Sequence, residues 1–305
     1  MPDTILPTSE AAACCEPSCC ADIETSARST KSADTSVRQK VRSGYASIAR
    51  GESSSCCGTD DTDATLFAQG VGYKAEELAV LPEGTNLGLS CGNPTALAQL
   101  QPGEVVLDLG AGAGFDALLA SAQVGAEGQV IGVDMTPEMV DRARANALTY
   151  AEHTGIDNIE FRLGEIEHLP VADGSIDVIL SNCVINLSPD KPQVWQEIAR
   201  VLKPNGRVSV SDIALKRPLP DQVLDAVEAL IGCVAGAVLI TDTEVMVREA
   251  GLIDVALEEK DGHIAAMETW HDPLYREIQD GLPPETVPAD FITSLSVSAR
   301  KPEAN

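Results

Sequence analysis

The run Val105-Val106-Leu107-Asp108-Leu109-Gly110-Ala111-Gly112-Ala113-Gly114-Phe115-Asp116 decides how the rest of the chain is read. Its first half is a short β-rich run. Its second half places glycines at 110, 112 and 114, which let the backbone turn sharply and approach a ligand closely. The helix that follows offers free N–H groups at its start. This is a nucleotide-type loop. A dinucleotide fingerprint would put its third glycine at 115, where this chain has phenylalanine, so the GxGxG pattern leans away from NAD.

Downstream the same grammar repeats. QVIGVD, NIEFRL, IDVILS and GRVSVSDI are short β-rich runs separated mostly by helical segments, the pattern of a parallel sheet built from βαβ units. The segment after QVIGVD has a clear helix start, with Thr136 as N-cap, Pro137 in the first position and Glu138 in the first turn. Apolar Met139, Val140, Ala143 and Ala147 follow, and Gly155 is placed to end the helix. Asp134 ends the second strand, where a carboxylate can accept both hydroxyls of a ribose. After Ile213 the alternation breaks: residues 218–250 read as inserted helices, and IDVALEEK and DFITSLSVSARKP as two last strands.

Upstream, residues 1–40 are rich in Ser, Thr, Ala and acids and read as a disordered tail carrying the CCEPSCC cluster. Residues 41–100 read as a helical and loop cap, 101–215 as the ligand-binding core, and 216–305 as an insertion followed by the last strands. The chain of 305 residues is 44% hydrophobic, ample for a core, and has neither an apolar run long enough to span a membrane nor a secretory leader, so the expected address is the cytoplasm. A formal charge of −26, from 47 acids against 21 bases, argues against nucleic acid or anionic lipid as a partner. The same acidity and scarcity of lysine fit a salt-rich cytoplasm. No apolar stripe points to a second subunit, so a monomer is expected.

The chain has nine cysteines, an odd count with no export signal, which argues for thiols used in metal or redox chemistry rather than a disulfide framework. Six are adjacent pairs: Cys14-Cys15, Cys19-Cys20 and Cys56-Cys57. Two adjacent thiolates can grip one soft ion. Three stand alone. Cys91 precedes Asn93-Pro94, a plausible N-cap and first helical residue, and a thiolate near a helix start is favoured by the dipole. Cys183 follows the fourth strand in SNCVINLSPDK, where a parallel sheet faces its ligand crevice. Cys233 lies in LIGCVAGAV between Gly232 and Gly236. Each is equally readable as a small buried hydrophobe. Their spacing contains no CxxC or histidine knuckle, which argues against a closed structural zinc site.

The segments DLGAGAG, GVDMTPEM, GEIE and VLKPNGR resemble the class I S-adenosylmethionine methyltransferases over residues 100–215. That resemblance implies a Rossmann-like α/β fold, a mainly parallel seven-stranded sheet with helices on both faces and an inserted helical substrate-binding region. It implies that the loop of Asp108, Gly110, Ala111, Gly112 and Gly114 meets the methionine end of the cofactor. Asp134 would meet the ribose and Glu165 and Ile166 the adenine, with Met135 and Asn182 as further cofactor-binding candidates.

NLGLSCGNP, FRLGEIEHLPV, SNCVINLSPDK and IGCVAGA extend the likeness, over residues 37–260, to the prokaryotic arsenite S-adenosylmethionine methyltransferases of arsenic detoxification. By that resemblance Cys91, Cys183 and Cys233 are the catalytic, metalloid-binding thiols, with Cys56 and Cys57 as further candidate ligands. CCEPSCC falls outside the catalytic pattern and resembles the vicinal thiols of arsenic-handling carriers.

A methyltransferase acting on O–H or N–H must usually lose a proton to a nearby base. Thiolate-bound trivalent arsenic has a lone pair and no proton to lose, and none of the four histidines falls in the glycine loop or the strand-tip segment. Thiolates are what such a soft substrate needs. Return of the product to the trivalent state would draw electrons from the cysteines, and an external thiol reductant of thioredoxin or glutathione type would reopen the resulting disulfide. Two alternatives share these residues: methylation of a small organic acceptor such as a quinone precursor, and a metalloid-sequestering protein that kept the cofactor fold.

Overall fold

The computed structural model describes residues 35, 37–52, 61–220, 223, 234, 236–260, 264 and 273–304. Its centre is a seven-stranded sheet in the order β3-β2-β1-β4-β5-β7-β6. The strands are β1 (Val105–Leu109), β2 (Gln129–Asp134), β3 (Ile159–Leu163), β4 (Ile176–Asn182), β5 (Leu202–Leu215), β6 (Ile253–Lys260) and β7 (Ile292–Arg300). The first five run parallel, and β7 inserts antiparallel between β5 and β6. The described helices are α1 over 37–49, then α2 (Asp61–Gly70), α3 (Ala75–Leu78), α4 (Pro94–Ala98), α5 (Phe115–Val124), α6 (Pro137–Thr154), α7 (Lys191–Val201), α8 (Ile240–Glu249) and α9 (Pro273–Gly281). No described helix is long and apolar enough to cross a membrane.

The alternation within β1 explains why helices cover both faces. Leu107 and Leu109 join one cluster with Ile131, Ile179, Trp195 and Ile198. Val106 points the other way, into a cluster with Val124, Val130, Val140 and Leu180. A strand buried on both sides has to be apolar throughout, as VVL is. Each fully buried aliphatic side chain stabilises the fold by about 1.5–3 kcal/mol.

The helix expected after β2 is α6. Thr136 holds its N-cap in extended backbone, Pro137 opens it, and Gly155 ends it at φ 75° in the left-handed region. β5 is longer than the run GRVSVSDI: it starts at Leu202 and passes through Pro204, and its pairing with β4 shifts register between Ile176 and Val178. The irregularity absorbs a proline that could not donate to a regular ladder. Of the expected insertion at 218–250, the described part ends in α8; residues 221, 222, 224–233 and 235 lie outside the described residues, as do 1–34.

Strand order reverses between β1 and β4, and crossovers leave from them to opposite sides. A crevice therefore opens beyond their carboxyl ends. The glycine loop leaves β1 there, and Asn182-Cys183 leaves β4 beside it.

Candidate functional site

That crevice is a cleft enclosing about 1010 Å³ of space, its open mouth included. Asp108, Gly110, Ala111, Gly112, Asp134, Met135, Ile166, Asn182 and Cys183 all line it. Gly110 and Gly112 have φ of 65° and 52°, and a Cβ at Gly110 would collide with the side chain of Val184. Gly114 does not reach the cleft wall. It caps α5 at φ 93°, and a Cβ there would meet the ring of Phe161, so its part is helix–strand packing.

Asp134 stands at the mouth of β2, where Gly112 and Thr136 donate their N–H groups to its two oxygens at 3.0 and 2.8 Å. Burial raises its carboxyl above the ordinary range despite those donors. Glu165 is part-exposed and pairs with Arg42 at 3.2 Å and with Arg38, which lines the cleft, at 3.8 Å. The acid lining the cleft in that segment is Glu167, buried and held by Arg38 at 3.3 Å and Ser188 Oγ at 2.6 Å.

Asp108 is buried with its Oδ2 lacking a hydrogen-bond partner. Burial, with the neighbouring charges of Asp116 and Asp134, pushes its carboxyl well above the usual range. An isolated buried carboxylate on a ligand cleft is costly until a cation or donor arrives. Together with Asp116, Asp134 and Glu167 it makes a cleft suited to a positively charged ligand.

The floor of the cleft is tied to the Cys91 loop through one side chain. Asn182 Nδ2 donates to Asp116 Oδ2, Tyr73 Oη and the Gly92 carbonyl, each at 3.0 Å. Its Oδ1 accepts the N–H of Cys91 at 3.0 Å. Tyr73 in turn donates to Asp116 at 2.7 Å. Burial lifts the Asp116 carboxyl to about 6, with Tyr73 and Asn182 opposing the rise. Tyr73, Asp116 and Glu167 were invisible as site residues in the sequence, although Asp116 closes the quoted glycine run.

The thiols of Cys91 and Cys183, separated by 92 residues, meet as a bonded pair, with Cα atoms 5.7 Å apart. In the reduced state that spacing also suits two thiolates on one soft atom. Cys183 sits at φ 54°, a left-handed backbone that a non-glycine residue rarely adopts, fixed by its N–H bond to the Ser211 carbonyl at 2.8 Å. Cys91 accepts at its carbonyl from Ser294 Oγ at 2.6 Å. The expected helix start beside it is present: the Asn93 side chain accepts from Ala96 N, and Pro94 opens α4.

Asp212, on β5, completes a buried trio whose ligand atoms all lie within 4.8 Å of one another. Nothing in the sequence pattern marked it. Cys233, Cys56 and Cys57 lie outside the described residues. Val234, next to Cys233 in the chain, packs in the same apolar cluster as Cys91 and Cys183.

A family model described as a methyltransferase domain matches residues 100–269. The chain is 42% identical over 279 residues to an arsenite methyltransferase of Halobacterium salinarum, covering 87% of this chain and 67% of that one. It is 39% identical to an arsenite methyltransferase of Aquipseudomonas alcaligenes, covering 73% of this chain and 64% of the relative. It therefore spans about two thirds of the length of these relatives. Among solved structures, it is similar to an arsenic(III) S-adenosylmethionine methyltransferase from Chlamydomonas reinhardtii, at 34% identity and a TM-score of 0.57 over 79% of this chain and 74% of that one.

Proposed function

The chain belongs to the arsenite methyltransferases, a family of S-adenosylmethionine-dependent enzymes, and from that premise we propose that Cys91, Cys183 and Cys233 hold its trivalent arsenic at the edge of the cofactor cleft. The observation that carries this reading is the meeting of Cys91 with Cys183 at the cleft wall across 92 residues of sequence. Val234 in the same cluster supports Cys233 as the third thiol. Cys56 and Cys57 are further candidate ligands for the metalloid.

S-adenosylmethionine, when bound, supplies an electrophilic methyl group on a sulfonium. The chain's residues fit it. The unpartnered Asp108 oxygen and the Asp116 carboxylate offer negative charge to its cationic end, and the open backbone at Gly110 and Gly112 lets it approach. Asp134 keeps acceptor capacity for ribose hydroxyls, and Met135 and Ile166 give apolar walls for a base. Glu165, turned toward Arg38 and Arg42, contributes here by fixing α1 over the cleft.

The substrate side asks for orientation more than acid–base chemistry. Arsenic on thiolates presents a lone pair without a proton, so the chain's task is to fix that lone pair toward the cleft, an effect of proximity. Asn182 supports this by bonding both the Cys91 backbone and Asp116 on the cofactor floor. A thiol reductant of thioredoxin or glutathione type would return the cysteine pair to the reduced state after turnover. The test is incubation of the full chain with S-adenosylmethionine, arsenite and a thiol, followed by arsenic speciation. Methylated arsenic should appear, and Cys183→Ser should lose it by at least about a hundredfold while binding the cofactor normally, since a thiolate ligand has no oxygen substitute for a soft atom. Full arsenite methylation by Cys183→Ser would overturn the assignment.

A further inference from the structure

Among the described residues, Asp212 is the hard ligand grouped with two soft ones. Its Oδ1 accepts from Asn186 Nδ2 and from the Ile213 N–H, both at 2.9 Å, and its Oδ2 from the Asn186 N–H at 3.1 Å. Asn186 Nδ2 also bonds the Ile213 carbonyl at 2.6 Å, so the carboxylate is clamped between the turn after β4 and the strand that carries it. Its ligand oxygen lies within 4.8 Å of both cysteine sulfurs. Ile213, Leu219 and Phe291 pack in the same apolar cluster as the two cysteines. A carboxylate is a poor direct ligand for trivalent arsenic beside two thiolates. It is a good acceptor for a hydroxyl carried by that arsenic.

Stoichiometry says when such a hydroxyl exists. Arsenite, As(OH)3, and two thiols give a dithiolate that keeps one As–OH. Two As–S bonds form, two As–O bonds break, each thiol proton leaves with a hydroxyl as water, and arsenic stays trivalent. Methylarsonous acid, CH3As(OH)2, loses both hydroxyls to the same two thiols and keeps only its carbon.

Resting on the arsenite reading above, we propose that Asp212 is a specificity-determining residue that accepts a hydrogen bond from the hydroxyl arsenite retains on Cys91 and Cys183. The site then favours the unmethylated substrate at this two-thiol stage, because the retained hydroxyl adds a donor to the carboxylate's remaining acceptor capacity and a methyl group in the same place adds none. When the third thiol closes on the arsenic, it replaces that hydroxyl, and its proton leaves with the hydroxyl as water.

The experiment uses the full chain with Cys14, Cys15, Cys19, Cys20, Cys56, Cys57 and Cys233 changed to Ser, so that Cys91 and Cys183 are its only thiols. The protein is reduced with tris(2-carboxyethyl)phosphine, which adds no competing thiol. Equilibrium dialysis then gives the affinity for arsenite and for methylarsonous acid, before and after Asp212→Asn or Asp212→Ser. Loss of a charge-assisted hydrogen bond should weaken arsenite by about tenfold or more, with methylarsonous acid changed by less than about twofold. Retained binding of the methylated compound also shows that each variant keeps the paired thiols. Equal weakening of both arsenicals in both variants would make Asp212 a scaffold residue and overturn the inference, as would an unchanged arsenite affinity. A two-thiol parent that takes up neither arsenical would overturn the two-thiol stage and this inference with it, whereas failure of the unmodified chain with all nine cysteines to bind arsenite would sink the arsenite reading itself.

Discussion

At Asp108 the needs of binding and of folding are opposed within one side chain. Its unpartnered oxygen is buried on the cleft, and burial raises its carboxyl well above the ordinary range. A group whose folded value lies above its unfolded one costs nothing where both states are protonated. The cost grows as pH rises through the interval between them and is complete above the folded value. Asp108→Asn removes the charge and nearly keeps the shape. The ligand-free variant should therefore be more stable than the parent, because no charge is then buried, and the gain should be larger at pH 8 than at pH 5. The same change should weaken S-adenosylmethionine by about tenfold, since a cation loses its anionic partner. Denaturant melts at the two pH values with calorimetric titration of the cofactor check both halves. A variant that is less stable and binds as tightly would show that Asp108 is a structural residue.

Between elements, the thiol site depends on how closely the Cys91 loop can lie on β5. A Cβ added at Gly92 would come within 2.8 Å of Ser211 Oγ and 2.9 Å of Ser211 Cβ, and Ser211 is the residue whose carbonyl fixes the Cys183 N–H. Gly92→Ala should push the loop off the strand and separate the two thiols. Arsenite methylation should fall by about tenfold or more, in line with the cost of misplacing a reacting group by a fraction of its working distance. Cofactor affinity should change less than turnover, because Gly92 is not on the cleft wall and reaches it only through its carbonyl's bond to Asn182. Unchanged turnover, measured beside a cofactor titration, would mean that the loop yields without moving Cys91.

This juxtaposition also marks where sequence reading stops. The glycine loop, β1 to β5 and the start of α6 were legible because each is encoded by neighbours: alternation, cap residues and turn glycines act over a few positions. Which acid of GEIE lines the cleft is not set locally: Glu167 does so, bonded to Ser188 and Arg38, and Arg38, more than a hundred positions away in sequence, pairs with both acids. Asp212 and Tyr73 become site residues only through pairings across the fold, and no local pattern records those.

For the whole molecule, the governing quantity is the charge of −26 on 305 residues. Like charges at this density repel one another throughout the surface, and folding brings them closer than the unfolded chain does. Several of the bases are already engaged locally, as Arg50 is with Glu52 and Glu138, Arg200 with Glu197 and Asp173, and Arg207 with Glu104. They neutralise particular acids and leave the excess standing. Added salt shortens the screening length from about 10 Å at 0.1 M to about 3 Å at 1 M, which weakens repulsion between separated acids more than attraction within a contact pair. Stability should therefore rise with potassium chloride. Between 0.1 and 2 M the midpoint of thermal unfolding should increase by about 5 °C or more, corresponding to roughly 3 kcal/mol for a chain of this size. Glycine betaine at matched osmolality separates screening from general solute exclusion and should produce a smaller rise. A melting temperature indifferent to the chloride would show that the surplus acids are spaced too widely to repel, and would remove the link between this composition and a salt-rich environment.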